Sequence, residues 1–313
     1  MKKNQPYVSA ARKGQNLSSE KVKRFVPMYL LILPAVLITL IFSYFPLPGL
    51  LISFMDYDMF GGFAASKWVG LENIKTLFAM PNMIKSILNT LTISVLSIVI
   101  VFPIPIILAV LLNEIKNVAF KKTMQTITYL PHFLSWISVI GIAYSFYALN
   151  GPINDFLSSV FGMERVYFLA EKSFFVPNVI LLTIWKETGW SSIIFLAAIT
   201  GIDMQLYEAA QMDGAGKFKQ FIHITLPGMM PTIVIMLILK LGQIFASNFD
   251  LIYGLQNVYI DYDVISTIVY KTGIQQGNFE ISTALGFCQG IIALILTLAA
   301  NKISDKLGSA SIW

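Results

Sequence analysis

Two groups of polar residues lie within apolar sequence and could bind a solute. Lys186 and Glu187 stand in the run "IWKETGW", directly after Trp185. Further along the chain are three more polar residues: Gln243, Asn248 and Asp250. Charged and polar side chains are costly inside a membrane and usually face the protein interior or a water-filled space. The six residues are therefore candidate contacts for a solute on a pathway through the protein.

The residue pattern leaves other roles open for the same side chains. Consecutive helical residues point about 100° apart, so Lys186 and Glu187 cannot both face one narrow pathway. We expect one of them to line a pathway and the other to pair with a neighbouring helix, and a structural ion pair between helices is the alternative. Trp185 could instead belong to an interfacial aromatic belt.

Catalysis by this chain is not indicated. Glu187, Asp250 and the two histidines, His132 and His223, lie in separate segments, so no nucleophile and base are paired. His132, in "YLPHF", is interpreted as a packed, hydrogen-bonded side chain. The single cysteine, Cys288, and the two histidines exclude a Cys/His metal cluster. We expect no metal and no cofactor on this chain.

The composition is that of a membrane protein. Hydrophobic residues make up 56% of the 313 and charged residues only 12%, with a mean hydropathy of +0.70. Soluble domains carry about twice that charged fraction. The net charge of +5 comes from basic residues beside apolar runs, not from a folded basic face, so nucleic-acid binding is not expected.

Six apolar runs are long enough to cross a bilayer as helices, which needs about 20 residues each. They predict an all-α polytopic membrane protein in which a basic segment, 1–27, precedes a transmembrane domain, 28–313. The predicted spans are Met28–Phe54, Ile84–Leu112, Met124–Leu149, Phe174–Thr200, Met229–Phe249 and Ser282–Asn301. Pro103 and Pro105 predict a kink in the second span, either a hinge or a fixed packing feature.

Lys and Arg predict the orientation, because loops on the cytoplasmic side are enriched in them. The N-terminal segment, the second and fourth connections and the C-terminus carry 14 of these residues, and the other connections carry 5. We therefore expect both termini in the cytoplasm, with the first span retained in the plasma membrane as a signal anchor.

A polar stretch, "EAAQMDGAGKFKQFIHITLP", interrupts the apolar sequence from Glu208 to Pro227. Asp203 can cap a helix over 204–212, which Gly214 ends in a left-handed conformation. A second helix fits 217–225, with Pro227 as its stop. Its apolar stripe, Phe218, Phe221, Ile222 and Thr225, is expected to pack on the ends of the spans. The small-residue face of the first helix predicts a docking elbow for a cytoplasmic partner, and an interfacial or re-entrant hairpin is the alternative.

This stretch resembles the EAA loop of binding-protein-dependent ABC importer permeases. The similarity is carried by Glu208-Ala209-Ala210, Asp213-Gly214-Ala215 and the closing "ITLP" that ends at Pro227. The resemblance implies that the loop, about 203–228, is a coupling helix inserted into an ATP-binding subunit. The residues to which it assigns that role are Glu208, Ala209, Ala210, Asp213, Gly214, Ala215 and Pro227.

Further segments are similar to the polysaccharide-type permeases of the LplB group, among them "WVGLENIKTLF", "YLPHFLSWISVIG" and the terminal "ANKISDKLGSASIW". They imply the type I importer, or MetI-like, permease fold and a saccharide cargo. The implied partners are a second homologous permease, a cytoplasmic ABC ATPase dimer and an extracellular solute-binding lipoprotein. A polytopic membrane enzyme acting on lipid-linked or sugar substrates, or a permease for a non-sugar solute, is the alternative.

The chain has no ATP-binding motif of its own. "GAGK" at 214–217 has Gln211 where a phosphate-binding loop needs glycine, and Phe218 where it needs Ser or Thr. We therefore expect ATP and Mg²⁺ to bind on the separate ATPase.

Overall fold

The computed structural model of the protein describes residues 19–306. Most of the predicted basic segment 1–27 and the end of the C-terminal motif, 307–313, lie outside the described residues. The chain divides into two compact units, the first ending at Leu51 and the second beginning at Ile52.

The first unit is built from the N-terminal helix. Helix α1 (Ser19–Thr39) continues into a π-helical turn (Leu40–Tyr44), and a 3₁₀ helix (Leu47–Phe54) runs into the second unit. The helical segment Phe25–Phe54 is long and apolar enough to span a membrane. The predicted first span, 28–54, is therefore confirmed.

The second unit holds the remaining helices and one small sheet. Strands β1 (Met55–Asp56) and β2 (Lys67–Trp68) pair antiparallel, with Met55 opposite Trp68. The α-helices are α2 (Gly62–Ala65), α3 (Glu72–Ala79), α4 (Met83–Leu96), α5 (Pro103–Glu114), α6 (Val118–Tyr129), α7 (Trp136–Phe146), α8 (Pro152–Phe161), α9 (Lys172–Thr200), α10 (Met204–Met212), α11 (Lys217–Gln220), α12 (Leu226–Gly242), α13 (Phe249–Leu255), α14 (Ile265–Tyr270) and α15 (Phe279–Lys306). The π-helical turns are Ser97–Val101, Phe221–Thr225 and Lys271–Gln275, and Leu130–Phe133 is a 3₁₀ helix.

Five helical segments among the described residues are long and apolar enough to cross a membrane, or six if one bent pair counts as a span. Besides the first, they are Met83–Glu114, Lys172–Thr200, Lys217–Gly242 and Phe279–Lys306. The second, fourth and sixth predicted spans are confirmed within a few residues at each end.

The third predicted span, 124–149, falls on a bent pair of helices that can count as one broken span. Helix α6 and the 3₁₀ helix after it meet α7 at a bend of 102°. Pro131 lies in the 3₁₀ helix, where it cannot donate a backbone hydrogen bond, and Leu134 is extended. The Ser135 hydroxyl then accepts the N–H of Ser138 at 3.1 Å and caps the start of α7.

The fifth span also differs from the prediction, because Pro227 does not stop a helix. The N–H of Leu226 donates to Phe221 five residues earlier, and this π-helical turn carries α11 directly into α12 with Pro227 in its first turn. A proline in a first turn removes no intrahelical bond. A second π-helical turn precedes Pro103 in the same way. The span ends at Gly242, not at 249, because Asn248 caps a separate helix, α13.

Helix α9 lies at the centre of the second unit and packs against α5, α6, α12 and α13. Its Phe175 and Val179 are buried with Val139 and Leu251 in one apolar cluster. In a second cluster, Phe195 and Ile199 of α9 meet Ala109 of α5 and Met229 of α12. Gly189 lets α9 approach α6 closely, since a Cβ there would overlap the carbonyl of Thr128. These contacts fix the walls of the site described next.

The segment between the fifth and sixth spans is held by one carboxylate. Asp263 Oδ1 accepts hydrogen bonds from Lys271 at 2.7 Å, Gln256 at 3.0 Å and Thr267 at 2.9 Å. Burial raises the pKa of Asp263, but these hydrogen bonds and the charge of Lys271 outweigh it, so the pKa lies below its usual 3.8. Asp263 is therefore ionised at neutral pH and pins α14 to α13.

Candidate functional site

The polar loop folds as the sequence predicts in its first half. Asp203 accepts the N–H of Gln205 at 2.9 Å and caps α10, which runs from Met204 to Met212. Gly214 has φ +75°, the left-handed conformation that glycine adopts without strain. The predicted helix, its cap and its terminator are all confirmed.

Side-chain contacts close the loop into a hairpin. The Tyr207 hydroxyl and the Thr225 hydroxyl lie 2.9 Å apart, joining α10 to the π-helical turn before α12. Gln220 donates to the carbonyl of Ala215 at 2.9 Å. At the base, Lys217 Nζ lies 2.9 Å from the carboxylate of Glu114 at the end of the second span. The hairpin is thus attached to two spans.

The loop presents a mixed surface of small, acidic and apolar residues. The exposed residues of the EAA resemblance are Glu208, Ala209, Asp213, Gly214 and Pro227, whereas Ala210 and Ala215 are half-buried. Met212 is 89% exposed and Phe218 74% exposed. The prediction that Phe218 packs on the ends of the spans is therefore wrong. Of the same predicted stripe, Thr225 is buried and hydrogen-bonded to Tyr207, as expected, whereas Ile222 is 39% exposed.

A cavity of about 470 Å³ opens between the second, fourth and fifth spans and helices α7 and α13. Most of its wall is apolar, as in ligand sites generally, with a small set of polar groups placed on it. Its polar lining residues are Ser94, Ser97, Thr183, Glu187, Ser191, Lys240, Gln243, Ser247 and Asn248. Trp136 is the tryptophan on the wall.

Glu187 is the acidic residue of the cavity wall and is held from behind. Its Oε2 lies 3.0 Å from Nδ1 of His132, and its Oε1 lies 3.6 Å from Nζ of Lys186. The Lys186 side chain is 6% exposed and donates to the backbone carbonyl of His132 at 2.6 Å. The His132 ring stacks on Trp190 with centroids 4.5 Å apart. The bend between α6 and α7 is what brings His132 to α9.

The structure sorts the six predicted pathway residues into two groups. Glu187, Gln243 and Asn248 line the cavity. Lys186 lies behind the wall, which matches the expectation that one member of the charged pair faces a pathway and the other a neighbouring helix segment.

Trp185 and Asp250 do not line the cavity. Trp185 borders a separate apolar recess between the second and fourth spans, because it lies two residues, about 200°, around α9 from Glu187. Asp250 is exposed in the first turn of α13, two residues past the cap residue that borders the cavity.

Sequence reasoning missed most of the cavity's polar lining. Lys240 could have been predicted to line the cavity, because it is a charged residue inside the predicted fifth span and such residues usually face the protein interior. Ser97 and Ser191 could not have been predicted, since small hydroxyl residues are common throughout membrane helices. The interpretation of His132 as packed and hydrogen-bonded is confirmed.

Similarity to known proteins agrees with this architecture. Residues 101–307 match the family described as binding-protein-dependent transport system inner membrane component. The chain is 43% identical to the polygalacturonan/rhamnogalacturonan transport system permease protein YteP of Bacillus subtilis (strain 168), covering 91% of this chain and 90% of that protein. It is 39% identical to the protein LplB of the same organism, covering 100% and 98%.

A solved structure shows the same fold. The chain matches a bacterial alginate ABC transporter, solved in complex with an alginate pentasaccharide-bound periplasmic protein, with a TM-score of 0.85 and 38% identity. The match covers 95% of this chain and 100% of that one. The chain therefore belongs to the binding-protein-dependent transport system inner membrane components, the ABC importer permeases.

Proposed function

We propose that this chain is a permease subunit of an ATP-driven saccharide importer and forms half of its translocation pathway. The cavity carries the proposal: a space of about 470 Å³ between three spans, lined by hydroxyl, amide and two charged groups. Such groups hydrogen-bond sugar hydroxyls, and Glu187, Gln243 and Asn248 are the contacts we expect among the residues predicted from sequence. The saccharides in the names of its relatives support the same cargo class.

The proposed orientation puts the N-terminus and the loop 203–228 in the cytoplasm of a bacterial cell. The uneven distribution of Lys and Arg supports it. The loop then docks on an ABC ATPase, which binds ATP and Mg²⁺. Its exposed acidic, small and apolar surface, anchored at Thr225 and Lys217, fits a protein partner better than bulk water.

The opposite face receives the solute-binding lipoprotein. A second, homologous permease completes the pathway. The relative named above for a function is a transport permease, which supports transport by this chain in preference to saccharide modification.

Reconstitution tests the function directly. The chain is assembled in proteoliposomes with the permease, ATPase and binding protein encoded beside it, and ATP hydrolysis and uptake are measured with a panel of oligosaccharides. We expect saccharide-dependent hydrolysis and uptake that vanish without ATP. Stimulation by a non-sugar solute alone, or saccharide modification without the ATPase, would contradict the proposal.

Cysteine labelling tests the orientation separately. In a Cys288→Ser background, Ser159→Cys in α8 should react with an impermeant thiol reagent on intact cells, whereas Lys116→Cys, between α5 and α6, should react only after lysis. Both positions are exposed and lie outside the candidate spans, so access to reagent depends on the side of the membrane. Labelling of Lys116→Cys on sealed cells would reverse the orientation.

A further inference from the structure

The cavity wall carries a lysine whose charge the rest of the protein leaves largely uncompensated. Lys240, in the last turn of α12, lines the cavity together with Glu187. Among the described residues, 19–306, no carboxylate oxygen lies within 4.0 Å of its Nζ atom. Glu187 also lines the cavity, but its ion-pair partners within 4.0 Å are His132 and Lys186, not Lys240.

The carboxylate of Glu187 is engaged elsewhere. One of its oxygens lies 3.0 Å from the His132 ring and the other 3.6 Å from Nζ of Lys186. Lys186 is buried behind the wall, bonded to the His132 carbonyl and placed 5.1 Å from the ring centre of Trp136. Two lysines and one glutamate give this region a net positive charge.

The position of Lys240 on its helix does not by itself explain why it faces inward. A lysine in the last turn is favoured by the helix dipole wherever it points around the axis. Near a helix end, a lysine can also extend its ammonium to the interfacial water. Lys240 instead is half-buried on the wall of a mostly apolar cavity, where an unpaired charge is costly and an anion offsets that cost.

The other polar groups around Lys240 are uncharged. Gln243 follows it by one helical turn, and the remaining polar lining consists of hydroxyls and the Asn248 amide. This combination suits a ligand that carries many hydroxyls and a carboxylate, which a lysine binds through a charge-assisted hydrogen bond.

We propose that the cargo is an acidic oligosaccharide, and that Lys240 binds a uronate carboxylate as the sugar passes through the cavity. This inference rests on the proposed function as a saccharide permease. It adds that the cargo is negatively charged and that Lys240 is the residue that binds the charge. Lys186 positions Glu187 and prevents that carboxylate from neutralising Lys240.

The test compares two ligands with the same sugar chain, one with free carboxylates and one with those carboxylates capped as methyl esters. The probes are fluorescently labelled trigalacturonate and its fully methyl-esterified form. Binding to the purified permease pair with its ATPase is measured by anisotropy without the binding protein, so that the binding protein's own selectivity does not contribute. We expect Lys240→Gln to weaken binding of the acid at least tenfold and binding of the ester less than threefold, and Lys240→Arg to retain most of the acid's affinity.

Control experiments distinguish the role of Lys240 from the proposed saccharide import itself. Lys302→Gln removes the same charge at an exposed site away from the cavity and should leave both affinities unchanged. Equal losses for both ligands with Lys240→Gln, no loss for either, or binding of the ester alone by the unmodified protein would overturn the role of Lys240. If instead the unmodified importer neither binds nor takes up any oligosaccharide, neutral ones included, the saccharide function itself is refuted.

Discussion

Replacing Glu187 by glutamine should destabilise the protein, because the buried Lys186 loses its charged partner. The substitution keeps the shape of the side chain and removes its charge. Lys186 then keeps its bond to the His132 carbonyl but loses the carboxylate 3.6 Å away. Because the Lys186 side chain is only 6% exposed, water cannot replace that partner.

The magnitude lies between two limits. Breaking a fully buried ion pair costs about 3–5 kcal/mol, and breaking an exposed one costs about 0–1 kcal/mol. Lys186 is at the first limit, whereas Glu187 is 30% exposed and borders the cavity. We therefore expect Glu187→Gln to lower the free energy of unfolding by about 2 kcal/mol, an intermediate between those limits.

A double-mutant cycle measures the coupling. Thermal unfolding of the purified protein is compared for Glu187→Gln, Lys186→Met and the double variant. Removing both charges leaves no unpaired buried ion, so the double variant should be more stable than the sum of the single losses by about 1 kcal/mol or more. Additive losses would show that Lys186 does not depend on Glu187, and the account of the wall as a linked cluster would fail.

Four further outcomes follow from the structure. Gly189→Ala should force α9 away from α6 and lower the yield of folded protein, as measured by size-exclusion profile, because its new methyl group would overlap a backbone carbonyl. Ala210→Trp should abolish co-purification with the ATPase and stimulated hydrolysis while insertion stays normal, whereas the equally bulky Ser159→Trp should not. Gly214→Val should strain the left-handed turn and weaken the same association, and binding equal to the unmodified protein would contradict this. Asp263→Asn should lower the free energy of unfolding by about 1 kcal/mol at pH 7. Because the pKa of Asp263 in the folded protein lies below 3.8, the difference between variant and unmodified protein should disappear as the pH falls through that pKa.

The parts of the fold that were predictable are those set by local sequence. A run of about 20 apolar residues is sufficient to identify a span, and four of six spans followed from that alone. The helix 204–212 was predictable to the residue, because Asp203 and Gly214 specify its ends by their own hydrogen bonding and backbone conformation.

The parts that were not predictable depend on residues far apart in sequence. We interpreted the sequence around Pro131 as part of one apolar span. Only the structure shows that the chain bends there and that the bend brings His132 into contact with Glu187, 55 residues away. The direction that each polar side chain faces around a helix depends on its neighbours. Trp185 and Glu187, for example, are only two residues apart in sequence but border different spaces.

The continuity of the fifth span links the two surfaces on which the proposed transport depends. A helix stopped at Pro227 would separate the loop from the membrane, but the π-helical turn at Phe221–Thr225 extends it without a break from Lys217 to Gly242. Thr225, bonded to Tyr207 of α10, and Lys240, on the cavity wall, are thus about 20 Å apart along one helix. A helix resists stretching, so we expect a displacement of the docked loop to be passed along this helix towards the lysine. Bending would meet less resistance at two places on it: the π-helical turn, whose hydrogen bonds are less regular than those of an α-helix, and Pro231, which removes a backbone hydrogen bond inside α12.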